Sequence, residues 1–166
     1  MSPARDIGLA TLVAGLVAAD QGVKALVRTK LDLYESVTVI PGFFDLTRVH
    51  NTGAAFGLLS GVDLPFKAAI LAVVALVALI GVSFYARGLP RSQWIARAGL
   101  AFIIAGAAGN LIDRVTTGYV LDFVDVYWND WHFWVFNVAD TSITVGVGLM
   151  LLDMLGLGRS CVSRTV

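Results

Sequence analysis

The sequence predicts an all-α integral membrane protein: four transmembrane helices, with a small extracytoplasmic β-hairpin between helices 1 and 2. Three observations predict it. Of 166 residues, 57% are hydrophobic and only 14% are charged, where soluble domains carry roughly 25% charged residues. One stretch, "AAILAVVALVALIGVSFYA", runs for 19 residues between Lys67 and Arg87 without a charge, close to the ~20 apolar residues that cross a ~30 Å hydrocarbon core. The basic and acidic residues are also segregated between alternate connecting segments.

Taken in order, the spans are read at approximately 7–27, 67–86, 97–115 and 140–158, with outer loops at 28–66 and 116–139, all within a single membrane domain of residues 1–166. The first is the apolar run Ile7 to Ala19, followed by Asp20 and Lys24, which share a helix face at i, i+4. Arg5, that run and "VAA" ahead of Asp20 also resemble a secretory signal. Asp6 in the would-be basic region and the apolar continuation "GVKALV" argue against it. The first loop carries "SVTVI" and "FFDLTRVH" on either side of Pro41-Gly42, and β-branched and aromatic runs around a Pro-Gly turn predict a hairpin. The uncharged stretch already quoted forms the second span. The third, Ala98 to Ile112, runs into Asp113 and Arg114. The second loop holds Tyr119, Phe123, Tyr127, Trp128, Trp131, Phe133, Trp134 and Phe136, read as an interfacial aromatic belt lying on the membrane surface. The fourth span, Thr141 to Leu152, opens after Asp140.

The linker "RGLPRSQWIAR" has Arg87, Arg91 and Arg97 with no acid, and the tail has Arg159 and Arg164 with none. The positive-inside rule puts both in the cytoplasm. Four spans then leave both termini inside and two acid-rich loops outside, the first with Asp32, Glu35, Asp45 and Asp63, the second with Asp122, Asp125 and Asp130.

This topology gathers the unusual polar residues at one depth. Asp20 and Lys24 end an outward-going helix, as do Asn110, Asp113 and Arg114; Asp140 opens an inward-going one; Asn51 and Asp122 lie in the outer loops. Charges deep in a bilayer cost about 2.5 kcal/mol or more each, and those retained mark function. Structural roles compete for several. Asp20 and Lys24 form a helix-end ion pair or touch a substrate. Asp113 and Arg114 snorkel to headgroups, or Asn110 and Arg114 point together into the bundle. Asp140 is an N-cap, and Asp125 and Asp130 are solvated loop acids.

Other chemistries are poorly supported. The net charge is zero, which points to no nucleic-acid partner. Cys161 is the single cysteine, so no intramolecular disulfide or multi-cysteine metal site forms. His50 and His132 lack metal-ligand spacing, so no metal and no cofactor is expected, and Ser60 and Ser142 have no nucleophile-elbow context. Two carboxylates at one interface offer an alternative. One activates water while its protonated partner polarises a carbonyl, and the pair titrates as a unit. The helix dipole favours Asp140 as the ionised member.

The blocks "AADQGVK", "RVHNTGAAFG", "GAAGNLIDR", "GYVLDFVDVY" and "FNVADTSITVG" resemble, in order and spacing, those of the bacterial lipoprotein signal peptidases (signal peptidase II), from Asp20 to Gly146. The resemblance implies a membrane aspartic endopeptidase with Asp122 and Asp140 as its dyad, Asp113 lying outside it. It implies a substrate groove lined by Asp20, Lys24, Asn51, Asn110, Arg114 and Asn137, and a periplasmic β-cradle in the first loop. The implied partners are lipid-modified prolipoproteins, cut just before the diacylglyceryl cysteine, and membrane lipids. The implied location is the bacterial cytoplasmic membrane. A proton-coupled transporter is the competing class, and it would place its acids at mid-membrane depth. A non-catalytic scaffold would tolerate Asp→Asn at 122 and 140.

Overall fold

The structure is a computed structural model that describes residues 4–53, 61, 62 and 64–156. Ser60, Asp63, part of the "RVHNTGAAFG" block and the tail with Arg159, Cys161 and Arg164 lie outside the described residues. Among the described residues, four helices and four strands follow one another as α1 (Ala4–Lys30), β1 (Ser36–Ile40), β2 (Phe44–Asn51), α2 (Lys67–Gly88), α3 (Trp94–Thr117), β3 (Val120–Trp128), β4 (Trp131–His132) and α4 (Val138–Met154). By length and composition, α1, α2 and α3 are each long and apolar enough to cross a membrane.

α1 is continuous through Asp20 and Lys24, because both charges are neutralised inside the bundle by ion pairs described below. Its end is capped by a residue distant in sequence: the Arg48 guanidinium on β2 donates to the carbonyls of Leu31 (2.8 Å) and Arg28 (3.3 Å), satisfying acceptors that a helix C-terminus leaves open. α2 buries no residue at all, as expected of an apolar helix whose solvent is lipid. α3 is the central element and packs against α1, α2 and α4. Its seam with α4 is built on small residues. A Cβ added at Gly106 would collide with the Ala139 carbonyl oxygen, and one at Gly146 would meet Gly99 O at 2.5 Å and Ile103 N at 2.9 Å. Small residues of this kind let helix backbones approach in a bilayer, where tight packing stands in for the hydrophobic effect.

The hairpin read around Pro41-Gly42 is present, with Gly42 at φ 78° in the turn. It does not stand alone. The second outer loop supplies β3 and β4, giving one antiparallel sheet in the order β1-β2-β3-β4. The aromatic-belt reading of that loop is therefore corrected in part. Trp128, Trp131 and Trp134 are exposed, but Phe123 is buried and clusters with Val27 and Leu121 under the sheet. Asp125 is corrected too: it is buried and paired with His132 Nδ1 at 3.0 Å, whereas Asp130 is exposed as read.

The β2–β3 register sets Val49 opposite Asp122 and Asn51 opposite Val120. Residues two apart on a strand share a face, so Asn51 and Asp122 are diagonal neighbours on one side of the sheet. α3 ends at Gly118, whose φ of 81° closes the helix with an N–H bond to Arg114 O, and β3 begins two residues later. That short connection delivers Asp122 beside the polar end of α3.

Candidate active site

α4 begins where the site is densest. Asn137, not Asp140, is the N-cap: its side-chain oxygen accepts from Asp140 N at 2.9 Å, and the Asp140 carboxylate returns a bond from Asn137 N at 3.2 Å. This reciprocal capping box satisfies two otherwise open helix donors. It corrects the N-cap reading of Asp140, which sits three residues further in and uses one carboxylate oxygen, Oδ2, for the box. The other, Oδ1, accepts from Asn110 Nδ2 at 2.8 Å.

Asp122 is bound in a similar way from two sides. Asn51 Nδ2 donates to its Oδ2 at 3.1 Å and Asn137 Nδ2 to its Oδ1 at 2.7 Å. Asn137 thus serves both carboxylates, and its amide also reaches Asn110 Oδ1 (3.2 Å) and Leu121 O (3.3 Å). Burial pushes the Asp122 carboxyl up to about 7; the Asp140 charge adds to the rise, and the amide bonds from Asn51 and Asn137 oppose it. Two carboxylates that feel one another this strongly titrate together. Asp140 remains half-buried, so the pair has an open side.

Behind this pair lies a layer of ionic groups with no open surface. Asp20, Lys24, Asp113 and Asn137 are 1, 0, 0 and 0% exposed. Lys24 Nζ contacts Asp20 Oδ2 at 2.8 Å, Asp113 Oδ2 at 2.9 Å and Asn110 Oδ1 at 3.1 Å. An ammonium can only donate, so the Asn110 oxygen faces Lys24 and its nitrogen is left to face Asp140. Asp113, which the sequence allowed to snorkel outward, is buried; its Oδ1 takes a bond from Arg28 at 2.9 Å. Arg114 is half-buried and reaches the Gly53 carbonyl at 3.2 Å.

All eight residues read as dyad or groove positions therefore meet in one region. They divide by depth. Asn51, Arg114 and Asp140 keep surface; Asp20, Lys24 and Asn137 have essentially none, so in this arrangement their contacts are with other site residues. Two participants escaped the sequence reading. Gln21 Nε2 bonds Asp20 Oδ2 and Gly109 O, each at 3.1 Å, and Arg28 pairs with Asp113. The signal was there: Asp20, Lys24 and Arg28 recur at i, i+4 and i+8, a polar stripe on one face of an apolar helix. His50 lies apart, stacked on the Tyr119 ring at 3.7 Å between centroids, and burial, then the charge of Arg48, hold its pKa low.

Comparison with known proteins is consistent across sequence and structure. The chain is 44% identical over 144 residues to a lipoprotein signal peptidase of Geobacter sulfurreducens, covering 87% of this chain and 89% of that protein. It is 44% identical over 143 residues to one of Symbiobacterium thermophilum, covering 86% and 91%. A solved structure described as a bacterial membrane enzyme superposes with a TM-score of 0.79 at 31% identity, covering 96% of this chain and 94% of the other. The family profile described as signal peptidase (SPase) II matches residues 12–156. The chain belongs to the signal peptidase II family, a family of peptidases, and is a bacterial membrane protein.

Proposed function

We propose that this chain removes the signal peptide from diacylglyceryl-modified prolipoproteins by aspartic catalysis, with Asp122 and Asp140 as the dyad. One observation carries the reading. Two carboxylates from different elements are bridged by one residue, Asn137, whose side-chain amide donates to Asp122 and whose backbone N–H donates to Asp140, and Asp122 is raised to about 7 in part by the charge of Asp140. A carboxyl that keeps its proton near neutrality beside an ionised one is the arrangement general acid–base hydrolysis requires.

The assignment of roles follows from the surroundings. Asp140 lies in the first turn of α4, where the helix dipole favours negative charge; it is the ionised member and takes a proton from the attacking water. Asp122 is the protonated member and donates to the scissile carbonyl oxygen as that oxygen gains charge. The water's oxygen forms the new bond to the carbonyl carbon; the C–N bond then breaks, the amine departing with the proton Asp140 collected while the tetrahedral hydroxyl returns its proton to Asp122 and the carbonyl re-forms. The extended substrate backbone is held by Arg114 and Asn51, the groove positions that retain surface. Asp20, Lys24 and Asn137 belong to the groove set implied by the family likeness, but their burial supports a role behind the dyad.

The topology supported by charge is four spans, α4 being the fourth, with both termini in the cytoplasm and the sheet outside. Asp6 pairs with Arg91 and Arg97, each at 2.6 Å, which joins the start of α1 to the α2–α3 connection and the first turn of α3 at one end of the bundle. A prolipoprotein, itself an apolar helix with attached lipid, then reaches the dyad by lateral diffusion at the outer interface, where water is available.

The test is cleavage of a purified diacylglyceryl-modified prolipoprotein in lipid, read as a gel-mobility shift. Wild type and Asp130→Asn, an exposed turn position, cut. Asp122→Asn and Asp140→Asn lose about 10³-fold or more, as removal of an essential acid or base does. Cleavage surviving in either folded dyad variant would overturn the assignment.

A further inference from the structure

Lys24 is fully buried, yet nothing about acid–base hydrolysis calls for an ammonium there. Its three protons go to three acceptors: Asp20 Oδ2, Asp113 Oδ2 and Asn110 Oδ1. Each acceptor leads onward to one of the two dyad positions. Asp20 Oδ1 accepts the backbone N–H of Ala139 at 2.9 Å, and Ala139 is the residue immediately before Asp140. Asp113 Oδ2 accepts the backbone N–H of Leu121 at 3.1 Å, and Leu121 is the residue immediately before Asp122. Asn110 reaches the Asp140 carboxylate itself. The two catalytic elements, β3 and the start of α4, are thus gripped one residue ahead of each aspartate by two carboxylates that share one cation.

We infer that Lys24, Asp20 and Asp113 form a yoke that sets the separation of the dyad aspartates, acting as positioning residues and not as substrate ligands. The inference rests on the dyad reading above. Charge alone does not explain the arrangement, because an ion pair needs no backbone amides, and a substrate site needs surface, which these side chains lack. The glycine at 109 fits the same design: a Cβ there would stand 2.6 Å from Asp20 Oδ2, so the carboxylate reaches its place only over a bare backbone. Gln21 closes the remaining side of Asp20 with its bond to Gly109 O. A displacement on the order of 1 Å in such a frame can cost about 10²-fold in rate, which makes the yoke's grip kinetically visible.

The experiment uses the full chain in lipid with a diacylglyceryl-modified prolipoprotein, and measures kcat, KM and the pH dependence of kcat. Asp20→Ala and Asp113→Ala remove the amide acceptors; Asp20→Asn and Asp113→Asn keep an oxygen for the same amide. Gly109→Ala displaces the Asp20 carboxylate and alters no charge. Expected for the alanine variants and for Gly109→Ala is a kcat loss of tenfold to about 10²-fold with KM within about threefold. The two limbs of the pH–kcat curve draw together as the carboxylates move apart and couple less. Asp113→Asn, whose single oxygen can still take both the Leu121 N–H and Lys24, recovers most of kcat, whereas Asp20→Asn, which keeps the Ala139 N–H only by turning its NH2 toward Lys24 and Gln21, recovers less. Should an alanine variant fail to fold, Gly109→Ala and the asparagine pair still carry the comparison. Hydrogen exchange supplies a readout independent of turnover: Asp113→Ala deprotects the Leu121 amide and Asp20→Ala that of Ala139, each leaving the other protected. Raised KM with kcat kept, or unchanged limbs with unchanged kcat, would overturn the yoke. Asp122→Asn and Asp140→Asn run alongside; if they still cleave, it is the dyad reading that falls.

Discussion

Asp122 is the residue whose ionisation most directly links burial to stability, and the sign of its effect can be worked through. Its carboxyl rises from an unfolded value near 3.8 to about 7 in the fold. Between those values the folded chain holds a proton that the unfolded chain has released, so stability falls as pH rises and levels off above 7. Full stability from this group is present only below about 4. Asn at this position cannot ionise and escapes the loss. The melting temperature of Asp122→Asn in micelles should therefore exceed that of wild type by more at pH 8 than at pH 4. The full difference corresponds to roughly 4 kcal/mol, at 1.36 kcal/mol per pKa unit. Any fixed penalty from placing a second amide among the Asn51 and Asn137 donors cancels in this comparison. Equal offsets at the two pH values would show that Asp122 is not held protonated. On the proposed mechanism the same proton sets the rate, so kcat of wild type should fall as pH climbs past about 7.

At the scale of elements, the seam between α3 and α4 decides whether the site exists, because one helix brings Asn110 and the other Asp140. Gly106→Ala drives a Cβ into the Ala139 backbone carbonyl, a contact with no flexible side chain to give way. Overpacking of this kind costs about 1–3 kcal/mol, and here the strain falls one residue before Asp140. Gly106→Ala should lower the melting temperature and cleavage together, whereas Gly81→Ala on α2, with open space around it, should lower neither. Unaltered cleavage in a folded Gly106→Ala chain would mean the seam tolerates spreading. Elements also differed in how legible they were. Hydropathy alone located α2, and Pro41-Gly42 located the hairpin, since those signals are local. β3 was missed because "VLDFVDVYW" pairs with a strand about 70 residues earlier in the chain, and no local rule encodes such a partner. Its aromatics looked equally suited to a membrane belt. The proposed dyad positions, Asp122 and Asp140, rest on motif likeness, not spacing. The bridging role of Asn137 and the burial of Asp113 and Asp125 needed the fold, because they arise where three or four elements converge.

The whole molecule separates two jobs along the membrane normal. At one end Asp6, Arg91 and Arg97 tie the start of α1 to the α2–α3 connection and the first turn of α3. The ionic layer and the sheet lie at the other end, since Asp20 to Arg28 fall in the C-terminal half of α1 and β3 follows directly after α3. The orientation proposed above follows from a basic end and an acidic end, because arginine-rich connections are retained in the cytoplasm. That places the exposed tryptophans Trp128, Trp131 and Trp134 at the outer interface, where their amphipathic rings are favoured. The same proposed orientation puts Asp122 and Asp140 where a signal helix ends and water begins. The orientation can be read with single cysteines in a Cys161→Ser background. Asp130→Cys, in the turn between β3 and β4, should react with a membrane-impermeant maleimide added to intact spheroplasts. Ser92→Cys, between α2 and α3, should react only after permeabilisation. The reverse pattern would put the dyad on the cytoplasmic face, ahead of export, where a signal peptide has not yet crossed and has no reason to be cut. Reaction of both cysteines in sealed cells would break the four-span path itself, since an even number of crossings separates the β3–β4 turn from neither terminus but an odd number must separate it from the α2–α3 connection.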